Sequence, residues 1–242
     1  AVADNLSNGR IEIGVGLGYV PRDFAGYGLS TTQRLSRTEE GLEILTRCFA
    51  GKRFTFEGKR YQARDVEIKP SYVQPGGPPL WVAASSPEGA KRAARFNAHL
   101  LPQGPYETTI QVWIDELRST GRSPRDYRVG IIKPVFVTEN RDRDWPKIRA
   151  AERFRMEYYA QAFKAAGRDA PPDQDKERIS QNWVVGDVDY CVSELTDFIK
   201  TNRITDLVTW AVPPGLRPGD VANSLQKFAT KVVPRIKEIL IS

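Results

Sequence analysis

The sequence is poor in side chains that bind transition metals or act as nucleophiles. Histidine occurs once, at His99, and cysteine twice, at Cys48 and Cys191. There is no HExxH and no CxxC, so the usual zinc patterns are absent and no metal site is expected. A Ser-His-Asp system would have His99 alone to draw on, and no G-x-S-x-G elbow accompanies it. There is no P-loop either. Apolar runs are short, and none approaches the roughly 18 consecutive residues of a membrane-spanning helix. The first residues, AVADNLSNGR, lack the basic and then apolar segments of a signal peptide. Cys48 and Cys191 fall on apolar helical faces, with Leu42 and Leu45 in one case and Leu195 and Phe198 in the other. They read as core residues in a reducing cytoplasm, not as a disulfide framework. A chain with so few reactive groups suits chemistry carried by a cofactor that the protein positions.

The 242 residues, 40% of them hydrophobic, are enough for a sizeable core. A net charge of +6 brings nucleic acid into consideration. Yet Lys and Arg are interleaved with Asp and Glu, as in ENRDRDW and DQDKER, and no basic run carries aromatics between its charges. This is a solvated surface, so neither nucleic acid nor membrane is expected as a partner.

Strand and helix patterns alternate. The apolar segments 11–18 (IEIGVGLG), 80–84 (LWVAA), 99–103 (HLLPQ), 128–138 (RVGIIKPVFVT) and 205–212 (TDLVTWAV) read as strands. Helices are expected at 31–50, 87–96, 108–121, 145–166, 187–202 and 218–240, with Asp187 capping one of them. Gly51 and Gly121 are placed to end helices. The stretch RFTFEGKRYQARDVEIKP reads as a hairpin excursion. The polar stretch 167–179 reads as a lid. Short continuous apolar strands alternating with helices are the pattern of parallel βα units, here in one domain spanning 1–242. The length suits a (β/α)₈ barrel of about 250 residues, but only five units can be counted.

Two strand ends carry the candidate ligand chemistry. Gly14-Val15-Gly16-Leu17-Gly18-Tyr19 fails the dinucleotide fingerprint because Tyr19 stands where the third glycine belongs. The glycines still allow close backbone approach, to a ligand or simply around a tight turn. LWVAA runs into Ser85, Ser86 and Pro87. Ser86 with Pro87 is ordinary helix-start chemistry, and the same helix N-terminus offers N–H groups and partial positive charge to a phosphate. Trp210, at the end of the fifth strand, either packs or walls a flat ligand.

Taken together, DNLSNGRIEIGVGLGY, EGLEILTRCFAGKRFTFEGKRYQ, PPLWVAASSPEGAKRAARF and SLQKFATKVVPRIK resemble the bacterial luciferase-like flavin monooxygenases, in that family's order. DNLSNGR is similar to the family's D-x-L-S-x-G-R, which precedes its fourth barrel strand. The resemblance implies a (β/α)₈ TIM barrel that here lacks strands 1–3. It implies a monooxygenase or oxidoreductase using reduced FMN and O₂ on a small organic substrate. A homodimer and a flavin reductase as partner are further implications. The alternatives are an F420-dependent oxidoreductase, or a non-catalytic flavin-binding fragment that depends on a partner. By the same resemblance, Ser85 and Ser86 contact the cofactor phosphate and Ala83 and Ala84 are the small residues beside it. Gly16, Gly18 and Tyr19 border the cofactor. No catalytic residue can be assigned, and His99, in Asn97-Ala98-His99 where relatives often have A-D-G, is not expected to be one.

Overall fold

The computed structural model describes residues 1–165, 167, 182–210 and 212–241. The chain divides into two compact units, Ala1–Val129 and Gly130–Ser242.

In the first unit a short helix α1 (Val2–Leu6) precedes strand β1 (Ile13–Val15), helix α2 (Pro21–Gly26) and helix α3 (Arg34–Phe49). The excursion is an antiparallel hairpin of β2 (Phe54–Glu57) and β3 (Gln62–Val66). Then come β4 (Leu80–Ala84), α4 (Pro87–Arg95), β5 (His99–Pro102) and α5 (Tyr106–Ser119). β1, β4 and β5 form one parallel sheet in the order β1-β4-β5. Helices α1 and α2 are too short to show as periodic apolar patterns, and the sequence reading missed both.

The pleat of β4 divides its side chains. A Cβ added to Gly89 of α4 would lie 3.0 Å from the Ala84 Cβ, so Ala84 faces that helix. By alternation Leu80 and Val82 share its face, and both are buried. Gly14, Trp81 and His99 lie side by side in register on the opposite face. Helix α4 forms because an alanine-rich segment follows the Ser86 cap and Pro87 at its first position. Its buried Ala90, Ala93 and Ala94 let it approach closely. Arg92, also buried, is matched by Glu39 of α3 at 3.2 Å. In α5 the buried Ile110, Trp113 and Leu117 repeat at helical spacing. Gly51 and Gly121 take positive φ just after α3 and α5, as expected of helix-ending glycines.

The DNLSNGR segment is a strap. Asp4 is fully buried. Its carboxylate accepts from the Val73 N–H at 2.7 Å, the Gln74 N–H at 3.1 Å and Gln74 Nε2 at 2.8 Å. Burial pushes its pKa up, but these hydrogen bonds outweigh it and hold the carboxyl below its ordinary value.

The second unit holds β6 (Gly130–Ile132), β7 (Val135–Val137), α6 (Arg141–Ala165), β8 (Val184–Gly186), α7 (Val188–Asn202) and β9 (Asp206–Val208). It closes with α8 (Pro218–Lys227), a π-helical turn at Phe228–Val232 and α9 (Val233–Ile241). The segment 128–138, read as one strand, is two. Pro134 has no N–H to give, so the ladder changes partners there. Lys133 N donates to the Val208 carbonyl at 2.8 Å, and the Pro134 carbonyl accepts from Val184 N at 3.0 Å. β6 therefore pairs with β9, and β7 with β8, both in parallel. β8 was missed, and the expected strand 205–212 shrinks to three residues. Helix α6 begins earlier than expected, at Arg141, where the Asn140 side chain accepts from Arg143 N at 2.9 Å, and it continues through Pro146.

Val135, Val137, Val184, Cys191, Leu195, Val232 and Ile236 pack together as a core. Burial pushes the Cys191 thiol up to about 12, the behaviour of an inert core residue, while Cys48 is only half-buried. Asp187 caps α7 as expected, accepting from Tyr190 N at 2.8 Å. Of the stretch read as a lid, residues 168–179 lie outside the described residues. Among the described residues no helix is long and apolar enough to cross a membrane.

Gly89→Val is expected to lower stability by about 1–3 kcal/mol through overpacking against Ala84, read as a lower urea midpoint at unchanged slope. For Asp4 the folded pKa lies below the unfolded one. Its contribution is present above the ordinary aspartate range and lost as pH falls through the folded value. Asp4→Asn is expected to melt lower at neutral pH and to lose less stability than wild type on acidification. Parallel melting curves across pH check this.

Candidate functional site

The junction of β4 and α4 is built by Ser86. Its backbone is extended (φ −150°, ψ 159°) and its Oγ accepts from Gly89 N at 3.3 Å. Its carbonyl accepts from Ala90 N at 3.0 Å. The helix cap is therefore real, and it uses Ser86 Oγ as an acceptor, leaving the hydroxyl proton to donate elsewhere. Ser85 is exposed and makes no side-chain hydrogen bond among the described residues. The Glu88 N–H, in the first turn, has no intrahelical acceptor by geometry. The Glu88 carboxylate is itself exposed, 3.8 Å from Lys91.

Next to β4, the end of β1 is bare of side chains. A Cβ placed on Gly16 would lie 3.8 Å from the Ala83 Cβ, so these two residues sit side by side on the face opposite α4. Gly14 and Gly16 are exposed, and Ala83 is half-buried. The structure thus brings Gly16, Ala83, Ser85 and Ser86 to the C-terminal ends of adjacent parallel strands. Ala84 is turned away, packed under α4. Gly18 has φ +70°, and a Cβ there would press on the Phe24 ring at 3.0 Å. Its glycine is required by the turn, which leads on to the half-buried Tyr19.

His99 opens β5, at the other, N-terminal end of the sheet. Its ring centroid is 4.8 Å from that of Trp81, and its Nδ1 accepts from Arg128 N at 3.1 Å. The Arg128 guanidinium lies 4.8 Å over the Trp81 ring and bonds Glu12 at 2.8 Å. Glu12 also accepts from Trp81 Nε1. His99 is a packing member of this cluster.

In the second unit Trp210 is 45% exposed beyond the C-terminal end of β9. The Arg155 guanidinium sits 4.6 Å from its ring centroid. Arg155 is held in turn by the buried Glu152, with Nε to Oε2 at 2.8 Å, and lies 5.4 Å over the Tyr159 ring. Burial works against the Arg155 charge, and Glu152 and Tyr159 outweigh it, keeping its pKa above the ordinary value. Sequence reading found Trp210 and missed Arg155. The Glu152–Arg155 spacing of a helical ion pair was visible, but not that it meets a strand end.

The luciferase-like monooxygenase profile matches residues 1–202. The chain belongs to the luciferase-like monooxygenase family. Within this family it is 26% identical, over 213 residues, to the FMNH(2)-dependent dimethylsulfone monooxygenase of Pseudomonas fluorescens, covering 84% of this chain and 56% of that protein. It is 24% identical, over 249 residues, to the F420-dependent glucose-6-phosphate dehydrogenase of Mycolicibacterium gilvum, covering 95% of this chain and 70% of that one. The crystal structure of monooxygenase RslO1 from Streptomyces bottropensis matches with a TM-score of 0.83 at 22% identity, over 97% of this chain and 71% of that one. The luciferase-like chain thus has the α/β fold of these TIM-barrel-type proteins. It spans 34%, 41% and 56% of the length of three curated relatives that it matches.

Ser86→Ala is expected to cost about 1 kcal/mol of stability through loss of the cap. Ser85→Ala, with no folded-state bond to lose, is expected to leave the denaturation midpoint unchanged. Urea titration of the two variants checks this division of labour.

Proposed function

We propose that this chain carries the cofactor site of a flavin-dependent monooxygenase acting with reduced FMN and O₂ on a small organic substrate. One juxtaposition supports the reading. A strip without side chains, Gly16 beside Ala83, runs at adjacent strand ends into Ser85, Ser86 and the N-terminus of α4. The residues fit an anionic cofactor with a flat ring. Ser85 and Ser86 would donate hydroxyl protons to its phosphate, and the first-turn N–H groups of α4 would add the positive end of the helix dipole. Gly16 and Ala83 would let the group lie close to the backbone, with the Gly18 turn and Tyr19 bordering it. When bound, the cofactor supplies the redox chemistry, and the protein binds, orients and keeps water away. In this reading the chain's strands correspond to the fourth to eighth of the family barrel. A homodimer and a flavin reductase that delivers reduced cofactor belong to the same reading.

A deazaflavin reading draws on the likeness to the F420-dependent dehydrogenase over 95% of the chain. The same phosphate cradle would serve it, with hydride transfer in place of O₂ activation.

The test is titration of the full chain with FMN, riboflavin and F420, followed by fluorescence. FMN is expected to bind. The Ser85→Ala/Ser86→Ala double variant is expected to weaken it about ten-fold or more, the scale of lost charge-assisted hydrogen bonds. Riboflavin, without the phosphate, is expected to bind both proteins within about two-fold of each other. F420 binding without FMN binding selects the deazaflavin reading, and binding of neither refutes both.

A further inference from the structure

The β6–β9 pair presents an apolar strip that the cofactor site does not use. Ile132 and Val208 are partners in register, and both are exposed, 40% and 47%. Their neighbours Ile131 and Leu207 are also in register. Ile131 is fully buried and Leu207 packs against the core, so the strip lies on the other face of the ribbon. Two residues beyond Val208 the chain reaches Trp210, at the strand end where parallel β/α folds bind ligands.

Trp210 differs from an ordinary exposed aromatic in being braced. The Arg155 guanidinium covers one side of the indole at 4.6 Å. It cannot swing freely, because buried Glu152 holds it through Nε and Nη2 and Tyr159 lies on its other contact. Trp210 is nevertheless 45% exposed. A cation on one face draws π density toward itself and leaves the opposite face poorer in electrons. That face stacks best on an electron-rich ring. Val208, two residues before Trp210 in the chain, and Ile132, paired with Val208, add exposed apolar surface in the same unit.

We propose that Trp210, backed by Arg155, is a stacking wall for a planar, electron-rich aromatic such as a hydroxyarene, the class that the proposed flavin-dependent function would take as substrate. The assignment of this ligand as substrate rests on the proposed flavin-dependent function; its binding to Trp210 does not. The wall would hold the ring in a fixed plane, and Arg155 acts through the indole as a positioning residue.

The experiment uses the full chain and 2-naphthol as probe, with cyclohexanol as a non-planar control. Wild type is expected to bind 2-naphthol, and cyclohexanol at least about ten-fold more weakly. Trp210→Leu, a half-exposed position that leaves the core intact, is expected to weaken 2-naphthol about five- to ten-fold. Trp210→Phe is expected to recover part of the loss, and Arg155→Leu to weaken 2-naphthol without abolishing it. Far-ultraviolet circular dichroism of each variant confirms the fold. Equal 2-naphthol affinity in wild type and Trp210→Leu, or equal affinity for the two probes, overturns the proposal. A Trp210→Leu protein that loses riboflavin along with 2-naphthol also overturns it, since the indole then stacks on the cofactor ring. The Ser85→Ala/Ser86→Ala variant separates the two claims. Normal 2-naphthol binding in that variant, beside weakened FMN, is expected and shows that the wall does not need the cofactor. Wild type that binds 2-naphthol but neither FMN nor F420 leaves the aromatic wall standing and sinks the proposed function.

Discussion

The close approach of α4 to β4 is the contact on which the first unit depends. Gly89 has no side chain and Ala84 only a methyl group, so the helix lies directly on the strand. A Cβ added to Gly89 would stand only 3.0 Å from the Ala84 Cβ, so helix or strand would have to give way to accept one. That contact fixes which way β4 faces. With Ala84 under the helix, Ala83 must point to the other side, next to Gly16. The strand then ends with Ser85 and Ser86 at the mouth of the helix that it supports. A packing constraint between two small residues thus sets the orientation of Ala83 and places the two serines at the helix mouth.

The helix cap and the ligand contact need not compete. A serine hydroxyl both accepts and donates, and the helix needs only its acceptor capacity. Ser86 can complete α4 and still offer a proton outward. Ser85, which the helix does not need, is more open to change on structural grounds. The two adjacent serines differ in what the fold asks of them, although the sequence presents them as a pair.

Much of this was legible in the sequence where a single pattern governs. LWVAA is buried on both faces and reads as a strand because it is one, and PEGAKRAAR announces a helix through its cap, proline and alanines. The motif order pointed to the family that the profile match then showed. The features that escaped were set by tertiary pairing. RVGIIKPVFVT looks like one apolar run, yet Pro134 splits it between two partner strands, and no local signal names them. Val184–Gly186 is a strand only because β7 lies beside it. Ala83 and Ala84 look equivalent until the register shows that just one of them faces Gly16. Trp210 was legible as an aromatic at a strand end, but its brace came from a helix far away in sequence.

The change of partner at Lys133-Pro134 has an architectural consequence. β7 and β8 pair in parallel from Val135↔Val184 to Val137↔Gly186, so both ends of the long segment between them are clasped together. Helix α6 hangs from that clasp within a closed loop, while the β6–β9 ladder is bonded separately. Lengthening such a loop adds only a slowly growing entropic cost, because closure entropy rises with the logarithm of loop length. The region between β7 and β8 is therefore a place where this architecture can accept or shed chain without rewriting its sheet, a socket on an otherwise fixed frame.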